Sequence, residues 1–172
     1  MILEQETPLV VCGIIGDETT LVVTKCLTGP FENRYDLATA PVTVAKTLSE
    51  TVTAIAAMET GLQTTIEKQL GTIRLILPAT TSEWTPRMVV STYYLLEPVG
   101  GQLMTQRPNY TPALSAGAAR VSLDQLNWAN SSPAVLQAKR YLETGAFPIA
   151  DQVIASYETP ERPQFSLLDN HE

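Results

Sequence analysis

The sequence predicts an α+β domain. Three observations carry that expectation: apolar, β-branched runs of strand length open the chain, a helix signalled at both ends follows, and a second capped helix comes only after two longer strand-like runs. The order is strands, helix, strands, helix. A chain of 172 residues is long enough for one domain with its own core, and 44% apolar against 17% charged residues is a globular balance. Twelve prolines and nine glycines supply many turns, which favours β content.

"PLVVCGIIGDETTLVVTKCL" (8–27) is two apolar runs joined at "GDETT", where Gly16 and Asp17 provide turn chemistry, so a β-hairpin is expected. "TGPFENR" (28–34) is a loop. Tyr35 to Leu37 and Val42 to Val44 are short extended pieces on either side of Pro41. The first helix is expected from Leu48 to Thr60, because Thr47 and Glu50 make a T-x-x-E capping box and Gly61 stands where a left-handed C-terminal residue is wanted. β-Branched Thr51, Val52, Thr53 and Ile55 each weaken it by about a few tenths of a kcal/mol.

"TTIEKQLGTIRLILPA" (64–79) and "PRMVVSTYYLLEPV" (86–99) are the longest strand-like runs and should pair across the polar turn "TTSEWT". A loop rich in Gly, Pro and Asn (100–112) leads to a short strand near Ala118 to Ser122. The last helix has Ser132 as N-cap, Pro133 in its first turn and Gly145 at its end. Residues 1–150 form the domain and 151–172 a C-terminal arm or flexible tail, with disorder expected after about Glu158.

Several function classes are disfavoured. A formal charge of −7 with eleven Lys and Arg argues against a nonspecific nucleic-acid grip or an anionic membrane surface, since both reward clustered cations. The start "MILEQETP" lacks the basic and apolar regions of a signal peptide, and "LVVCGIIG" is too short to span a bilayer, so a cytoplasmic location is expected. Cys12 and Cys26 have no zinc-ligand spacing and the single histidine, His171, adjoins the C-terminus. Plain buried or half-buried thiols are expected. There is no GxGxxG, Walker loop or nucleophile elbow.

The stretch "YDLATAPVTVAKTLSETVTAIAAMETGL" (35–62) resembles the Nudix hydrolases. That family carries the box G-x5-E-x7-R-E-U-x-E-E-x-G-U, with U apolar, commonly after W-D-L-P-G-G. Laid on this sequence without a gap, the box puts Ala40 at its first glycine, Lys46 at its first glutamate, Ala54 at the arginine and Ile55 at the next glutamate. Ala56 takes the apolar place, Met58 and Glu59 the paired glutamates, and Gly61 with Leu62 the close. Later, "SAGAARVSLDQLNWANSSPAVL" is similar to a segment of some bacterial Nudix proteins in which "LDQL" and "NSSP" lead into the last helix. The resemblance implies the Nudix fold, a mixed β-sheet sandwiched between helices (α/β/α). It also implies a chemistry: hydrolysis of nucleoside diphosphates linked to another group, with Mg²⁺ or Mn²⁺ on the box carboxylates.

Here that chemistry is depleted. The last three acids of the box fall at i, i+3 and i+4 on one helical face, and that face reads Ile55, Met58, Glu59. A hard cation needs oxygen ligands, which isoleucine and a thioether cannot provide. Each carboxylate about 4 Å from a divalent ion contributes roughly 8 kcal/mol of gross attraction at an effective dielectric near ~20. Losing two leaves a poor site, and Lys46 adds repulsion. Thr39 and Ala40 replace a Gly-Gly, and Pro41 restricts the backbone further.

The expectation is therefore a catalytically impaired Nudix-like protein acting as a nucleotide- or partner-binding domain, possible homodimer included. Glu59 is left as a vestigial metal contact or a partly exposed helix-end carboxylate, with Ile55 and Met58 as core or pocket lining. An alternative is an active pyrophosphohydrolase that recruits Mg²⁺ or Mn²⁺ with Glu59 and acids among Asp36, Glu50, Glu67 and Glu97; another is a purely structural module. Arg34, Arg74 and Arg87 are candidates to hold a substrate phosphate, and Tyr35, Trp84 and Tyr94 to stack on a base, with surface charge and packing as their plainer roles.

Overall fold

The structure, a computed structural model, describes residues 7–78, 87–106, 115–156 and 158–166. Along them run β1 (Leu9–Ile14), β2 (Thr20–Lys25), β3 (Tyr35–Asp36), β4 (Ala38–Pro41), α1 (Leu48–Thr60), β5 (Leu62–Leu77), β6 (Arg87–Gly101), β7 (Ala118–Ser122), α2 (Pro133–Thr144) and β8 (Gln152–Val153). A mixed sheet has the order β4-β1-β6-β5-β8, with β1 parallel to β6, and an antiparallel sheet has the order β3-β2-β7.

Strand residues alternate between two apolar layers because successive side chains leave a strand on opposite faces. Cys12, Ile14, Val23, Tyr93 and Leu95 pack with Val135, Ala138 and Tyr141 of α2. Their neighbours Val11, Ile15, Val22, Tyr94 and Leu96 pack with Val52 and Ala56 of α1. Strands thus lie between the two helices, as the resemblance implies.

Helix α1 has the expected ends. The Thr47 hydroxyl accepts from Glu50 N at 3.1 Å, Thr47 N donates to the Glu50 carboxylate at 3.2 Å, and Gly61 is left-handed at φ 78°. A Cβ at Gly61 would overlap the carbonyl oxygen of Gln102, so both conformation and space demand glycine there. Helix α2 likewise starts on Ser132 and stops at Gly145.

Three expectations are corrected. The "GDETT" turn forms, with the Asp17 carboxylate accepting from Thr19 N and Thr20 N at 2.8 Å each, bonds that hold it down to about 2. Yet β1 and β2 are not a hairpin; beyond the Gly16–Leu21 bridge they part into different sheets. Residues 11–15 and 21–25 are buried without alternation, the signature of strands covered on both faces, and each strand takes neighbours on both edges. The second short extended piece is Ala38–Pro41, not Val42 to Val44, with Pro41 closing an edge strand.

The third correction concerns the disorder expected after about Glu158, because residues 158–166 are held as an arm, one of the two forms expected of this segment. Asn33 Nδ2 donates to Pro160 O at 2.7 Å, Arg34 Nη2 to Glu158 O at 2.8 Å, and Gln164 N to Asn33 O at 2.9 Å. Phe165 is buried against Tyr35, ring centroids 5.7 Å apart. The turn with Trp84 and the terminal residues with His171 lie outside the described residues. No helix among the described residues is long and apolar enough to cross a membrane.

Candidate functional site

A pocket of about 120 Å³ opens where the last turn of α1 meets β2, β3 and the start of β4, lined among others by Thr24, Cys26, Asp36, Thr39, Glu59 and Ser115. Glu59 reaches it from α1 and is only 6% exposed. Asp36 reaches it from β3, a two-residue strand pinned by Tyr35 N donating to Asn130 O at 2.7 Å and Ser132 N donating to Tyr35 O at 2.8 Å. Asp36 Oδ1 accepts from Leu37 N at 2.9 Å and from the Ser132 hydroxyl at 2.7 Å. The same Ser132 oxygen accepts from Val135 N at 3.3 Å, so one side chain caps α2 and orients Asp36.

Burial pushes the Asp36 carboxyl up to about 6 against those two hydrogen bonds, and the charge of Glu59 pushes the same way. Thr24 stands opposite Asp36 in the β2–β3 pairing, so both side chains share a face. Cys26 Sγ donates to Thr28 O at 3.1 Å; burial first and Asp36 second push its thiol up to about 12. Burial does the same to Cys12, whose sulfur accepts from the Thr39 hydroxyl at 3.5 Å. Neither thiol ionises near neutral pH, which removes thiolate nucleophilic chemistry from the pocket.

No protein-family model and no curated protein sequence matches the chain. Its shape does match solved structures. A Nudix hydrolase from Nitrosomonas europaea superposes with a TM-score of 0.66 over 90% of this chain and 83% of that one, at 14% identity. The chain has the Nudix fold. An ADP-ribose pyrophosphatase from Streptococcus suis gives 0.56 over 84% of this chain and 98% of that one at 15% identity, and a MutT protein from Bacillus halodurans 0.58 over 86% and 90% at 12%.

The positions that the sequence resemblance aligns with the box are distributed unevenly on this fold. Ala40 is paired with Val11 and packs at the edge of the α1-side core, and Ala54 is half-buried. Lys46 is exposed before α1. Ile55 is buried as expected, but Met58 is 50% exposed, so it lines neither core nor pocket. Glu59 is not a partly exposed helix end; it is enclosed, because the i+4 step from buried Ile55 turns it inward while the i+3 step turns Met58 outward.

None of the candidate phosphate-binding arginines lines this pocket. Arg34 is buried under the arm and borders a second, smaller cavity with Phe31 and Trp128, while Tyr35 packs on Phe165. Arg74, on β5, sits 3.3 Å from Asp151 in an exposed ion pair, and Arg87 is exposed on β6. Tyr94 is core. Of the four supplementary acids only Asp36 joins Glu59; Glu50 is occupied in the cap, and Glu67 and Glu97 are exposed on the β5–β6 pair. Thr24 and Ser115 were not singled out by sequence, which read Cys26 only as a plain thiol and Thr39 only as a replaced glycine, and only the β2–β3 register reveals that Thr24 faces Asp36.

The donor set among the described residues does not fit the divalent ion that the resemblance implies. Where the box would place converging carboxylates stand a buried isoleucine and a thioether turned to solvent, and among the described residues no group of three or more His, Cys, Asp or Glu could hold a metal ion. Two carboxylates surrounded by hydroxyls, one of them kept partly protonated at mildly acidic pH, make a hydrogen-bonding pocket instead.

Proposed function

We propose that the chain is a Nudix-fold domain with impaired pyrophosphate hydrolysis, and that it acts by binding a nucleotide or nucleoside diphosphate derivative in the Asp36–Glu59 pocket. The observation that carries this reading is that Ile55 and Met58 stand at two of the three acid positions of the aligned helical face, leaving Glu59 alone, with Met58 facing away from the pocket. Positioning and electrostatic stabilisation of a transferring phosphoryl group depend on that metal, so its loss removes rate more than it removes a cavity. The fold resemblance to an ADP-ribose pyrophosphatase supports the nucleotide class.

A second reading is a divergent hydrolase, favoured by the meeting of Asp36 with Glu59 in one pocket. Calorimetry and turnover assays with Mn²⁺ and a panel of ADP-ribose and nucleoside triphosphates separate the two. Binding without product is the expected result; Mn²⁺-dependent turnover supports the hydrolase, and neither binding nor turnover leaves a structural module.

A further inference from the structure

Resting on the binding reading above, we infer that the Asp36–Glu59 pocket recognises the uncharged, hydrogen-bond-donating part of its ligand, the sugar hydroxyls or amino group of a nucleoside, and gains nothing from phosphate. Three independent features of the pocket lead there. The first is its wall, which among the described residues holds two carboxylates and several hydroxyls but no lysine or arginine. A phosphate group gathers arginine, lysine, a metal or a helix N-terminus around it, whereas α1 presents its C-terminal turn, the negative end of its dipole.

The second feature is spare hydrogen-bonding capacity on the pocket wall. Thr24 is 3% exposed, and its hydroxyl makes no hydrogen bond among the described residues. Thr24 lines the pocket, so that hydroxyl is available to a ligand there. Asp36 adds to this, because Ser132 and Leu37 both bond Oδ1, leaving Oδ2 with no hydrogen-bond partner among the described residues. The two groups are direct partners across β2 and β3, so a pair of vicinal donors can bridge them.

The third feature is where three of the cations go. Arg34 directs Nη2 to the carbonyl of Glu158, Arg74 meets Asp151, and Lys25 directs Nζ to the carbonyl of Thr105. None of the three lines the pocket. The Asp36 carboxylate repels an incoming diphosphate, while its Oδ2 accepts from O–H and N–H groups.

The test is calorimetry in EDTA with adenosine, guanosine, cytidine and uridine, each against its own 5′-diphosphate. The expected result is that at least one nucleoside binds, and binds at least as tightly as its diphosphate. Thr24→Val, which keeps the shape and removes the hydroxyl, should weaken that nucleoside about tenfold without lowering the thermal midpoint. A diphosphate binding tenfold or more tightly than its nucleoside overturns this inference while leaving the binding reading in place, and so does an unchanged affinity in Thr24→Val. Silence from all eight compounds overturns both.

Discussion

Replacing Asp36 with asparagine tests the electrostatics of the pocket with a sign that is hard to mistake. The carboxyl is raised from 3.8 to about 6, chiefly by burial. The folded protein therefore holds this proton more tightly than the unfolded chain does, and stability from this group is fully present below about pH 4 and lost as pH rises through about 6. The shift of roughly two units corresponds to about 3 kcal/mol. Asparagine keeps an Oδ1 that can accept from Ser132 and Leu37, but never ionises, so it escapes the loss. For a chain of this length ~1 kcal/mol moves the melting midpoint by roughly 2–4 °C, so the advantage of Asp36→Asn over the parent should grow by about 6–12 °C between pH 3.5 and pH 7.5. Differential scanning calorimetry across that range measures it. Parallel midpoint curves for the two proteins would refute the partly buried, charge-burdened Asp36 described above.

Further expectations follow from single residues. Ile55→Glu with Met58→Glu restores acids at i, i+3 and i+4 and should raise Mn²⁺ affinity by titration calorimetry; a folded double variant with no gain contradicts the placement of the box. Gly61→Ala should cost about 2 kcal/mol or more in urea denaturation, since φ is 78° and the new Cβ meets a carbonyl; a cost within about 0.5 kcal/mol would mean that the α1–β5 junction is wrong. Phe165→Ala should release the C-terminal arm, seen as new protease cleavage between residues 158 and 166, with a stability loss on the order of 3 kcal/mol. An arm that stays protected would show that its backbone hydrogen bonds suffice.

Much of the fold was legible because its signals are local. Thr47, Glu50 and Gly61 mark α1 through bonds no more than four residues long, and Ser132, Pro133 and Gly145 mark α2 in the same way. Pairing was less legible. The apolar runs around "GDETT" say that two strands are buried on both faces, but a turn sequence cannot say that they will leave each other for β4, β6, β3 and β7. The arm was hidden for a related reason: one aromatic, Phe165, finds Tyr35 more than a hundred residues away, and composition around it suggests only a solvated end.

The candidate site divides along the same line. Periodicity puts Ile55, Met58 and Glu59 on neighbouring positions of one helix, yet whether each points inward depends on how α1 rolls against β1 and β4, which sends Met58 to solvent and Glu59 to the pocket. Asp36 stood beside three other acids of equal standing in sequence. Only the β2–β3 register and the reach of Ser132 from α2 distinguish it.

Loss of the cation site on a preserved Nudix scaffold is what the account asserts, and electron paramagnetic resonance of Mn²⁺ titrated into the purified protein measures it without any substrate. The predicted spectrum is that of free aqueous Mn²⁺ throughout, with no saturable site below the millimolar range. A stoichiometric site of micromolar affinity that disappears in Glu59→Gln would contradict it.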